Sequence, residues 1–168
     1  MRISMTPKKI MTREYKPEDV QALANIYYNT IHQINIQHYT DEQVEAWAPQ
    51  ASLETQGWKK KFEKSQPLVA LIGETVVGFA EFEPNGHIDC FYTHHEHIGC
   101  GIGSALMAAI FNRAAHKKIR RIFVEASITA KPFFEKQGFT VIEEQQVDIH
   151  GIKLTNYKME KIIGDFIS

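Results

Sequence analysis

The sequence predicts a single domain of the α/β (α+β) class over residues 1–168, with a mixed central sheet flanked by helices. Three observations carry this. A β-branched and aromatic run from His87 to Thr93 passes through a glycine-dense loop into a helix-forming run holding Ala105, Leu106, Met107 and Ile110. Asn85-Gly86 separates two strand patterns, a strong short-range hairpin signal. The apolar run from Ile122 follows that helix, and a strand–helix–strand crossover makes its strand parallel to the one before.

Taken in order, residues 10–15 form the first predicted strand. Pro17, Glu18 and Asp19 suit a helix start, with acids near its positive end. Val20, Leu23, Ile26 and Tyr27 then repeat at helical spacing to about Ile31. Thr40 and Gln43 make a capping-box pattern for a second helix, which Pro49 stops. Residues 52–65 are polar and lysine-rich, with Trp58 and Phe62 four apart, and read as a surface helix or loop. Residues 68–72 are a buried strand and 76–83 the next. With Asn85-Gly86 as a two-residue turn, Pro84 faces His87, Phe82 faces Asp89, Glu81 faces Cys90 and Phe79 faces Tyr92. His87, Asp89, Phe91 and Thr93 then share one face, and Glu81, Cys90 and Tyr92 the other. Acids in central strands are costly unless solvated or hydrogen-bonded, and a cleft beside Asp89 and Glu81 would supply that. A helix from Gly103 to about His116 ends in basic residues that suit its negative end. A parallel-type strand at 122–125 follows, and residues 140–148 and 152–159 form a last hairpin around His150-Gly151.

Composition narrows the function classes. The chain has 168 residues, 43% hydrophobic and 23% charged, which is ordinary for one soluble domain with one core. A net charge of −1 gives no general attraction to nucleic acid or anionic membrane. No apolar run approaches the ~20 residues that span a bilayer, and Lys8-Lys9 is not followed by a signal-peptide core, so a cytoplasmic location is expected. Cys90 and Cys100 are the only cysteines, and no disulfide scaffold is expected. His94, His95 and His97 crowd together without a metal-binding helix motif, and no metal is expected.

Gly99, Gly101 and Gly103 head a helix whose exposed amides form an anion site. Gly-Ser-Ala replaces the Gly-Lys-Ser/Thr of a Walker loop, and Ser104 stands where a dinucleotide fingerprint needs its third glycine. Ile98-Gly-Cys-Gly-Ile-Gly103 instead resembles the acetyl-CoA loop of the GNAT superfamily of N-acetyltransferases, Arg/Gln-x-x-Gly-x-Gly/Ala, with Ile98 where the family has Arg or Gln. The stretch from Val124 to Phe139 is similar to the family's next strand, short helix and Gly-Phe return.

The resemblance implies a sheet splayed between its two parallel strands, with acetyl-CoA as co-substrate between them. Phe91, Tyr92 and Thr93 on one strand, and Glu125 to Ser127 on the other, would then face the pantetheine. Ile98, Gly99, Cys100, Gly101, Ile102, Gly103 and Ser104 would hold the pyrophosphate, and Ser127, Thr129, Lys131, Phe133 and Phe134 would complete the cofactor site. The first two helices would wall the acceptor pocket, offering His32, His38, Tyr39 and Trp47, with Glu125 beside them. The aromatics Tyr39, Trp47 and Tyr92 suggest an acceptor with an apolar portion.

The activity implied is direct transfer of the acetyl group to a primary amine of a small molecule or peptide. The partner set holds that amine and leaves a homodimer open, without nucleic acid or membrane. An amine is mostly protonated at pH 7, so a base or water relay is needed. Asp89 is the first candidate, with His87 acting beside it and Glu81 as a third. Where many family members carry a tyrosine in the short helix, this chain has Phe134, which has no proton to give. A rival reading is a GNAT-fold module that binds acetyl-CoA without turnover, as a sensor or structural element.

Overall fold

The structure, a computed structural model, describes residues 9–164. Its seven strands form one sheet in the order β1-β2-β3-β4-β5-β7-β6. These are β1 (Ile10–Glu14), β2 (Leu68–Ile72), β3 (Thr75–Phe82), β4 (His87–Thr93), β5 (Arg121–Ser127), β6 (Thr140–Ile149) and β7 (Ile152–Ile162). Helices α1 (Val20–Gln33), α2 (Asp41–Trp47) and α3 (Gln56–Ser65) precede β2. Helix α4 (Ile102–His116) crosses from β4 to β5, and α5 (Lys131–Lys136) follows β5. All pairs are antiparallel except β4 with β5. The single α/β sheet with one parallel pair was legible in the sequence.

Helix starts follow local chemistry. The chain enters α1 through a 3-10 turn at Pro17–Asp19, where buried Asp19 accepts the Lys16 N–H at 2.8 Å and two bonds from Arg13 at 2.7 and 2.9 Å. Helix α2 has the capping box its sequence announces, with the Gln43 N–H donating to Thr40 Oγ1 at 3.1 Å and the Thr40 N–H donating to Gln43 Oε1 at 2.9 Å. The undecided stretch before β2 is helical over α3, anchored by fully buried Phe62, which stacks on Trp58.

The sheet buries both faces. On one side Ile102, Leu106, Met107, Ile110 and Ala114 of α4 pack on Val77, Ala80, Ile88, Ile122 and Val124. On the other, Val20, Leu23 and Ile26 of α1 and Phe62 of α3 pack on Val69, Phe79 and Cys90. A third cluster joins Ile31, Tyr39 and Val44 to Leu154 under the β6–β7 hairpin. Burying each large apolar side chain contributes roughly 1.5–3 kcal/mol before conformational entropy is set against it.

The β3–β4 register departs from expectation near the turn. Phe79 pairs with Tyr92 and Ala80 with Phe91, as a two-residue turn requires, but Phe82 pairs with Ile88. Asp89 and Cys90 therefore oppose the single residue Glu81, a β-bulge. The turn itself closes from the Gly86 N–H to the Glu83 carbonyl at 2.9 Å, so Pro84 and His87 do not face each other. The bulge also revises the faces. Ile88 and Phe91 join the α4 core, while Cys90 and Tyr92 join the α1–α3 core. Asp89 lies with Glu81 and Cys90, not with Phe91, because Lys61 reaches all three. Finally, β7 returns between β5 and β6, an order that the sequence pattern did not specify.

Candidate active site

Strands β4 and β5 pair only at His87 with Phe123 and Ile88 with Val124, and then diverge. Beyond Ile88, β4 has no ladder partner on the β5 side, while β5 stays paired with β7 through Ser127. A cavity of about 480 Å³ occupies the wedge. One wall is Asp89, Phe91, Tyr92 and Thr93; the other is Val124 to Ser127. Phe133 and Phe134 of α5 line it, as do Thr30, Ile34 and Asn35 near the end of α1 and Trp47 of α2. The Thr30 hydroxyl donates to the Thr93 carbonyl at 2.7 Å, which fixes α1 against the diverging end of β4.

The loop and the head of α4 close one end of this wedge. Gly101 caps the helix at φ 87°, a left-handed conformation that glycine adopts without steric cost. Among the described residues, the N–H groups of Ile102, Gly103 and Ser104 have no backbone partner at this helix start, so the positive end of α4 opens toward the cavity. A Cβ on Gly103 would stand 3.0 Å from the Phe133 ring, so the first turn and α5 approach as closely as they do because that position lacks a side chain. The Ile98 side chain is half exposed at the rim.

Two carboxylates stand where the strands part, Asp89 on β4 and Glu125 on β5, each the first residue after its last shared pair. The Lys61 ammonium holds Asp89 at 2.9 Å and Glu81 at 2.8 Å. Glu81 is fully buried, and its second oxygen receives the Ser65 hydroxyl at 2.5 Å. Burial opposes the lysine charge, but the carboxylates of Glu81 and Asp89 outweigh it and raise the Lys61 pKa above the usual lysine range. Burial pushes the Cys90 thiol well up, so it is a neutral neighbour. Glu81, Asp89 and Cys90 bring donor atoms within 4.8 Å of one another, and the cation among them is this lysine.

His87 lies between two carboxylates, with Nδ1 2.5 Å from Glu83 Oε1 and Nε2 2.6 Å from Glu125 Oε2. Its ring stacks on Phe123. Burial disfavours the charged ring, yet the hydrogen bonds and charges of Glu125 and Glu83 more than offset it and raise the pKa. No direct hydrogen bond joins His87 to Asp89; the direct bonds of the ring run to Glu83 and Glu125.

The remaining sequence candidates divide. Asp89, Phe91, Tyr92, Thr93, Ile98, Gly99, Gly101, Ile102, Gly103, Ser104, Ser127, Thr129, Phe133, Phe134, Trp47 and Glu125 line the cavity. Glu81, His87, Cys100, Lys131, His32, His38 and Tyr39 do not. His32 bonds the Ala48 carbonyl at 2.7 Å, His38 meets the Thr129 hydroxyl at 2.9 Å, and Lys131 covers the Tyr157 ring. Tyr39 is buried, donating to the Thr155 carbonyl and accepting the Ile128 N–H. Sequence reasoning missed Lys61, whose neighbours in a lysine-rich helix look the same, and Thr30 and Asn35, whose polar side chains carry no motif. Asn35 is buried and donates to Ser127 Oγ at 3.3 Å.

Comparison with known proteins bears on the fold. Residues 35–161 match the family model described as an acetyltransferase (GNAT) domain. A protein of Escherichia coli K12 described as uncharacterized N-acetyltransferase YafP is 36% identical over 150 residues, covering 89% of this chain and 94% of that one. The crystal structure of a GCN5-related N-acetyltransferase from Rhodopseudomonas palustris superposes with a TM-score of 0.87 at 31% identity, over 95% of this chain and 99% of that one. YncA of Salmonella typhimurium, solved with its cofactor acetyl-CoA, shares the fold with a TM-score of 0.71 at 18% identity, over 95% and 96% of the two chains.

Proposed function

We propose that this chain, which belongs to the GNAT acetyltransferase family and is with it an acyltransferase, moves the acetyl group of acetyl-CoA to a primary amine of a small molecule or peptide. The observation that carries the reading is the wedge between β4 and β5, with free amides at the head of α4 at one end and two carboxylates where the strands meet. The residues fit the co-substrate. The amides of Ile102 to Ser104 suit its pyrophosphate, and the unpaired edge of β4 from Asp89 onward suits the amides of its pantetheine arm. Acetyl-CoA supplies an acyl thioester, and the reaction exchanges its C–S bond for a C–N bond.

The chain's own residues then have two tasks. Asp89, ion-paired with Lys61, receives the acceptor's ammonium and takes its proton directly or through water. Tyr92 and Trp47 wall the acceptor side, which suits an amine with an apolar portion. Phe134 is 1% exposed among Phe91, Phe133 and Phe139 and has no proton to give, so the thiol leaves unaided by it. That is tolerable on energetic grounds. A thiolate lies only about 2 kcal/mol from stability at pH 7, whereas freeing an amine of pKa near 10 requires about 4 kcal/mol. The carboxylate side is the demanding one.

The test is release of free thiol from acetyl-CoA with a panel of amines, for the parent and for Asp89→Asn. The expected outcome is turnover by the parent and a loss of ~100-fold or more in the variant at neutral pH. Binding of acetyl-CoA without thiol release for any amine would overturn transfer and leave a non-catalytic binding module.

A further inference from the structure

Acetyl transfer to an amine leaves one proton to dispose of. An ammonium acceptor and a thioester give an amide, a free thiol and one proton; the C–N bond forms, the C–S bond breaks, and the thiol keeps one of the two protons the nitrogen sheds. The other has to leave the wedge. Asp89 leads to no further side chain that could take the proton on, because its partner Lys61 is an ammonium with no free acceptor site.

Across the wedge the arrangement is different. Glu125 lines the cavity and is 40% exposed. Its Oε2 meets His87 Nε2 at 2.6 Å, and His87 Nδ1 meets Glu83 Oε1 at 2.5 Å. Glu83 follows the last residue of β3 and is 44% exposed at the outer turn, while the ring between the two carboxylates is 18% exposed. A line of three titratable groups thus runs from the cavity, past the vertex where β4 and β5 pair, to the surface. We propose that Glu125, His87 and Glu83 are a proton relay serving the transfer reaction, with Glu125 the catalytic residue and His87 and Glu83 its positioning partners.

The steps balance. With His87 neutral and its proton on Nδ1, the Glu125 carboxylate takes a proton from the acceptor nitrogen and hands it to the free Nε2. The Nδ1 proton passes to Glu83 and from there to water. Tautomer exchange through water, or a half-turn of the ring, restores the Nδ1–H form and resets the line. An imidazole held between two carboxylates is suited to this, since either nitrogen can donate while the other accepts. The other charged groups around the ring are accounted for. Arg121 lies over the Phe123 ring and pairs with Glu160 of β7, and Asp89 on the same strand is held by Lys61. The same triad also clasps β4 to β5, so a purely structural role is the competing account.

The relay rests on the transfer reading, and the experiment separates the two. Glu125→Gln, His87→Gln and Glu83→Gln are compared with the parent in kcat and kcat/KM against pH, using one amine that the parent accepts. Affinity for acetyl-CoA and the urea midpoint are measured alongside, and the His87 ring is titrated by NMR. The expected result is a kcat loss of ~100-fold or more for Glu125→Gln and about tenfold for Glu83→Gln, with acetyl-CoA affinity within twofold of the parent. In Glu83→Gln the acidic limb of kcat/KM and the His87 titration both move to lower pH. A structural clasp would lower the urea midpoint and leave kcat and the limb in place, which overturns the relay alone. A parent that releases no thiol with any amine overturns the transfer reading and the relay with it.

Discussion

Replacing Lys61 by Met removes the ammonium that holds the buried Glu81 carboxylate. The Glu81 side chain is 1% exposed, it lies opposite Asp89 and Cys90 across the bulge, and after substitution the Ser65 hydroxyl and the neutral Cys90 thiol are left to stabilise it. Breaking a buried ion pair by deleting one partner typically costs about 3–5 kcal/mol. Exposure of the lysine reduces that here. Lys61 is 39% exposed, so water can follow into the space it leaves, and its second contact, with half-exposed Asp89, contributes at most about 1 kcal/mol. A loss of about 2–4 kcal/mol is expected, or roughly 5–15 °C in Tm for a domain of this size. Urea and thermal unfolding of the parent, Lys61→Met and the double variant Lys61→Met/Glu81→Gln give the answer, because the neutral amide no longer needs a cation and should recover more than half of the loss. A single variant within about 0.5 kcal/mol of the parent, or a double variant no more stable than the single one, would refute the account of Glu81.

Gly86→Ala is expected to destabilise by about 3 kcal/mol or more, since φ is 96° and the new Cβ would stand 2.0 Å from the Arg121 carbonyl oxygen; urea unfolding measures it, and a loss below about 1 kcal/mol would contradict it. His87 makes stability pH-dependent with a definite sign. Its folded pKa is raised, so its contribution is complete below the ordinary value of about 6.5 and fades as pH rises through the folded value. The difference in urea stability between the parent and His87→Gln should therefore shrink from pH 6 toward pH 8, and a difference that grows over that interval would be incompatible with the two carboxylate contacts.

What could be read from the sequence was whatever local chemistry decides. Thr40 and Gln43 marked a helix start that depends on residues three apart, and the glycine loop marked the head of α4 because a backbone conformation demanded it. Asn85-Gly86 marked a hairpin correctly but not its register, since a bulge is decided by what each face packs against rather than by the turn. An acid within β3 announced that some partner was needed. That the partner would be Lys61, rather than Lys59 or Lys60 beside it, follows only from how α3 sits on the sheet. His87 and Glu125 lie 38 positions apart and meet through the parallel pairing of β4 with β5, a contact that no local pattern signals.

The bulge at Asp89 and Cys90 acts as a change of parity. Upstream of it, Ile88 faces α4; downstream, Phe91 faces the same way, although the two are separated by two residues rather than one. A regular strand alternates strictly, so it could not put Asp89, Cys90 and Tyr92 together while returning Phe91 to the α4 core. The arrangement of functional and core side chains along β4 is thus stored in the length of the strand, not in the identity of any letter within it. Point substitutions can alter what each position does and leave the layout intact. Only the gain or loss of a single residue inside the strand would rewrite it, sending every side chain on one flank to the opposite face at once.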